Sequence, residues 1–193
     1  MTSPSQFDEE FSGLLDTYSD TISQFRETLT DASYNDRDLL KVFSRHARAM
    51  ADELNAHFSF LEDSRPADPV DIRRYMIYEM DLLWRIRDIL VEDLGLFDES
   101  FRIVVSRGVN ERLKGLIFNE LNSMQINVKE TLADNIRAAW DALSDKSVSS
   151  RQRVESWRTS VQSVRHLADS WFALSENLDK AFKAWKVSGS ASI

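Results

Sequence analysis

Four residues in one stretch, His46, Met50, Glu53 and His57, step by 4, 3 and 4 along the chain. On a helix that spacing puts them on one face. Two imidazoles with a carboxylate are a donor set for a transition metal. A methionine beside a histidine is an axial pair for haem. No fuller motif backs either chemistry: the paired Glu-x-x-His units of di-metal bundles are missing, and so is His-Glu-x-x-His. The expectation is therefore no metal. Both histidines should sit at the boundary of a buried face, hydrogen-bonded and partly solvated, where they can titrate near neutral pH and tune an interface. His166 falls opposite the apolar seam of its own segment and is expected on the surface.

Other chemistry is scarce. There is no cysteine, hence no disulfide framework, thiolate metal site or cysteine nucleophile. The five glycines are scattered, so no loop cradles a phosphate. With three dispersed histidines a nucleophile–base pair is not expected. Neighbouring carboxylates such as Asp8/Glu9/Glu10 and Asp52/Glu53 are what acidic helix surfaces supply routinely. The basic cluster Arg85, Arg87, Arg102, Arg107, Arg112 and Lys114 is nearly cancelled by local acids and reads as a solvated, ion-paired surface. An enzyme is not expected.

The elements that carry these residues are helical. Only five glycines and three prolines occur in 193 residues, as in a chain that is mostly helix. The length suits a single domain with a real core. A net charge of -8 argues against nucleic acid as partner. No apolar stretch approaches the roughly 18 residues of a membrane span, and the acidic N-terminus is unlike a signal peptide, so a cytoplasmic protein is expected. Residues 1–31 hold seven acids against Arg26, while residues 146–186 hold eight Lys/Arg against four acids. The two ends are electrostatic complements, which predicts that the first and last helices lie near each other.

The first helix is expected from Ser3-Pro4, with a stripe of Phe7, Phe11, Leu14, Tyr18, Ile22, Phe25 and Leu29. Gly13 inside it suggests a close approach. Asn35 is the expected cap of a second helix reaching about Glu62, which turns Leu39, Phe43, Ala47, Met50, Leu54, Phe58 and Leu61 inward. The Pro66/Pro69 segment is a break. A third helix follows Asp68-Pro69 with Ile72, Met76, Leu83, Ile86, Leu90 and Leu94 inward. Tyr75, Ile77, Leu82, Trp84 and Ile89 widen its apolar arc, which suggests a central position, and Gly95 is its expected stop. Asp98 restarts a helix. The stretch from 99 to 144 is either one long helix or two kinked near Gly108. A last helix spans about Ser150 to Lys186, and 187–193 is a small polar tail.

In that last helix Val154, Val161, Ala168, Ser175 and Phe182 occupy one heptad position. Trp157, Val164, Trp171, Leu178 and Trp185 occupy the other. Strict 3-4 alternation over nearly five heptads predicts left-handed, coiled-coil or bundle packing. Tryptophan is too large for a two-stranded seam and fits where three or four helices meet. The stripe is thus read first as core. A docking role for Trp157, Trp171 and above all Trp185, beside the chain end, is the alternative.

The fold class that follows is all-α: a bundle of five or six long, mostly antiparallel helices in one domain over 1–186, with a heptad-patterned C-terminal helix. The function expected is that of a non-enzymatic interaction protein, an adaptor, regulatory subunit or assembly component. It would bind protein partners and itself, without cofactor. The alternative is a helical sensor holding an apolar ligand or haem in its core through His46, Met50 and His57.

Overall fold

The 3-4 spacing of apolar residues becomes helix along nearly the whole chain. In the computed structural model, which describes residues 4–31, 33–63, 69–105 and 108–185, the elements are α1 (Pro4–Thr30), α2 (Asp36–Asp63), α3 (Pro69–Val105), α4 (Glu111–Ile126), α5 (Ala133–Ser144) and α6 (Ser150–Lys183). A π-helical turn, Asn127–Leu132, joins α4 to α5, and the residues at both junctions keep right-handed helical dihedrals. The three segments are therefore one rod, and the bundle has five. Among the described residues there is no strand.

Caps fix where the rods begin. Asn35 accepts the Asp38 amide at 3.0 Å. Asn110 does the same for Leu113. Ser149 and Gln152 form a full capping box at the start of α6. Successive rods run antiparallel. Along α2 and α3, Phe43 meets Phe101 at one end and Leu61 accepts the Tyr75 hydroxyl at the other. Along α3 and the α4–α5 rod, Phe101 meets Phe118 while Arg73 reaches the Leu143 carbonyl. α2 and α6 share the most extensive contact in the molecule, with Ser44 against Ser175 and Arg165 over Phe58. Ala47, Ala51, Ala168 and Ala181, all buried, let these two backbones approach. One apolar cluster draws on every rod.

Several expectations give way here. α3 runs through Gly95 to Val105. Gly95 is exposed and a Cβ there would touch nothing, so nothing stops the helix. The Phe101–Val105 stretch is the last turn of α3, and the break falls at Gly108–Asn110. Gly13 likewise has open space around it. The close approach is at Gly108, where an added Cβ would run into the ring carbons of Trp185. Among the described residues the acidic first helix and the basic last helix share no extensive contact. α1 lies on α2 and α3, while α6 lies on α2, α4 and α5. The centre belongs to the α2–α6 pair, and α3 leaves Ile77 and Tyr78 exposed. Ser3, the side chains of Phe7 and Phe11, Asp68 and the tail from 186 onward lie outside the described residues.

Candidate functional site

On α3, Met76, Glu79, Leu83, Ile86, Leu90, Asp93 and Phe97 follow a 3-4-3-4-3-4 rhythm. That is a buried seam with two acids in it, and both are 0% exposed. The antiparallel α2 sets a histidine against each. His46 Nε2 lies 2.9 Å from both Asp93 oxygens. His57 Nε2 lies 3.3 Å from Glu79 Oε1, close enough for charge pairing but off the line of a hydrogen bond. α1 covers both pairs. Phe25 stacks flat on His46 at 3.9 Å, and Tyr18 meets His57 edge-on. From α6, Trp171 closes the His46 layer edge-on, against both His46 and Phe97.

The two pairs differ in how well they are satisfied. Asp93 has its imidazole in full hydrogen-bonding range. Around Glu79, both carboxylate oxygens, both His57 ring nitrogens and the Tyr18 hydroxyl are buried without a hydrogen bond. Unpaired polar groups in a dry interior are costly. Burial pushes the Glu79 carboxyl above its ordinary value, with His57 pulling the other way. Burial also raises the Tyr18 hydroxyl, helped by the nearby Glu53 and Glu79 carboxylates. Glu53, at the half-buried edge of α2, is raised by its own burial and then by Asp52.

The residues singled out by sequence are thus distributed as follows. His57 is fully inside and His46 is buried apart from one edge, and each has an acid to face. Met50 is buried between them on the same helix. A porphyrin ligated through His46 Nε2 would have to displace Asp93. Among the described residues no group of three or more His, Cys, Asp or Glu is placed to hold a metal. Trp157 packs edge-on to Tyr75, and Trp157 and Trp171 are both buried within the chain. Trp185 is half-buried over Gly108 and is the part of the stripe nearest the surface. His166 is exposed, as expected. Within the basic cluster, Arg85, Arg87, Arg102 and Lys114 pair with acids one to four residues away.

Sequence reasoning missed Asp93, Glu79 and the role of Tyr18. The signal was present: two acids fourteen residues apart, in step with the aliphatic seam of α3. Among the described residues no helix is long and apolar enough to cross a membrane. No family model, curated protein or solved structure matches the chain.

Proposed function

We propose that the protein is a non-enzymatic helical interaction protein, an adaptor, regulatory subunit or assembly component, which binds through helix–helix contacts and associates with a second copy of itself. The observation that carries this reading is the seam between α3 and α5. Arg73 reaches Leu143 at one end of it and Arg137 lies over Trp84 at the other. Between those points Ile77 is exposed, and Trp84 and Trp140 are only partly covered. Two tryptophans and an isoleucine with arginines at the rim have the make-up of an interface hot spot. The arginine rim suits an acidic helix, and this chain carries one in α1.

The test is light-scattering mass on a sizing column over a hundredfold range of concentration, for wild type, Ile77→Asp and Trp185→Ala. A concentration-dependent dimer that Ile77→Asp weakens at least about tenfold supports the reading. A dimer weakened only by Trp185→Ala moves the interface to the end of α6. A monomer throughout, unaffected by either change, overturns self-association.

A further inference from the structure

The His46–Asp93 pair is not sealed on all sides. A groove of about 240 Å³ between α1 and α2 has His46 in its floor. Phe25 forms one wall, and Thr21, Gln24, Thr28 and Tyr34 also line it. Arg45, next to His46 on α2, also lines it, and among the described residues this guanidinium has no ion pair. Among the described residues no carboxylate lines the groove. At the roughly 30 Å³ that a water molecule takes up, it has room for about eight non-hydrogen atoms. It is smaller than a drug-sized pocket.

We infer that this groove is a binding site for a small organic anion, a carboxylate or phosphate ester with a short apolar body, held by Arg45 and His46. Asp93 occupies Nε2, so Nδ1 is the ring nitrogen left for a ligand. An anion selects the charged imidazole, whose Nδ1–H then donates to it, while Asp93 remains behind the ring as buried counter-charge. That arrangement lets a nearly buried histidine carry a positive charge without standing alone in the core. Arg45 supplies the second, solvent-facing contact, and Phe25 and Val42 cover the apolar body. Ligand entry would thereby act on the α1–α2–α3 layer, since Phe25, His46 and Asp93 each come from a different helix. This site is independent of self-association and can be tested on monomer or dimer alike.

The experiment is a nuclear magnetic resonance titration of the full chain with isotope-labelled histidine, using benzoate, lactate and inorganic phosphate up to millimolar concentration. The expected result is a saturable shift of the His46 ring signals with at least one probe. Arg45→Gln should weaken it about tenfold or more, as for loss of a charged hydrogen bond. Arg48→Gln serves as the control for bulk charge, because Arg48 lies over Phe172 away from the groove, and should leave it unchanged. Saturation by benzoate or lactate assigns carboxylates, and saturation by phosphate alone assigns phosphate esters. No saturable shift with any probe overturns the inference. So does a shift that Arg45→Gln leaves intact.

Discussion

Glu79→Gln isolates one buried carboxyl with almost no change of shape. Glu79 is 0% exposed, and neither oxygen has a hydrogen bond. Its carboxyl is raised by burial, and the opposing pull of His57 is the smaller effect. The unfolded chain releases this proton in the ordinary range, near 4.5. The folded chain holds it to higher pH. In the window between those values the native state binds the extra proton, so wild-type stability falls as pH rises, by up to about 1.4 kcal/mol per unit. Below the window both states are protonated, so the pH dependence vanishes and the contribution is present in full. Glutamine has no such proton. Urea unfolding followed by circular dichroism, from about pH 5 to about pH 8, should show the variant gaining on wild type as pH rises. Taking the difference between the two proteins removes every other carboxylate from the comparison. A flat difference would mean that Glu79 is not held protonated. That outcome would refute the ranking of burial above pairing, because a carboxyl that His57 pulled below the ordinary range is ionised in both states across this window.

Three further outcomes test the packing. Trp171→Ala should cost about 3–5 kcal/mol by thermal or chemical unfolding, because the side chain is fully buried, edge-on to His46 and Phe97; a loss no larger than that of Trp185→Ala would contradict the placement. Gly108→Ala should displace the Trp185 ring and cost about 1–3 kcal/mol. Combined with Trp185→Ala it should cost little more than either change alone, whereas additive losses would show that the two do not touch. Asp93→Ala should cost about 3–5 kcal/mol, since it leaves His46 buried without its partner; Asp93→Ala unfolding at wild-type urea concentrations would show the pair to be incidental.

The heptads of α6 and the stripe of α2 were readable because nearly every buried position there holds an apolar residue, with Ser175 the exception. Trp157 and Trp171 could be assigned to a multi-helix core from spacing and size alone. α3 was read less well for the opposite reason. Its seam contains Glu79 and Asp93, whose type argues for the surface while their spacing argues for the core. Removing them from the stripe made Leu94 its final member and let Gly95 look like an end. Gly95 itself was misleading because glycine ends a helix only when the next turn has nothing to bury, and here Phe97 and Phe101 follow. The histidines were placed half-solvated for a related reason. A histidine inside a core needs a partner, and the partners sit on another helix, 22 residues away for His57–Glu79 and 47 for His46–Asp93, and meet the histidines only when folding closes the loop. The groove over His46 has no linear signature at all, because its walls come from α1 and α2 together.

Those mismatched residues also constrain the bundle in a way that aliphatic ones cannot. Leucine faces leucine equally well after a slip of one heptad, so an all-aliphatic α2–α3 seam would define its register weakly. His46 with Asp93 and His57 with Glu79 are two cross-links of opposite chemical type on one seam, set in the same antiparallel register. A slip of seven residues would bring His46 level with Ile86 and leave both acids facing apolar side chains. A buried, unpartnered charge is penalised far more than a mispacked methyl group. The pairs therefore add little to stability as such and much to the energy gap between the right register and the wrong ones. On this argument, replacing all four residues by aliphatic ones of similar size would give a protein as stable as wild type or more so, yet less singly folded. Hydrogen exchange and dispersion of the amide spectrum would report that loss, and a variant with unchanged spectrum and protection would defeat the argument.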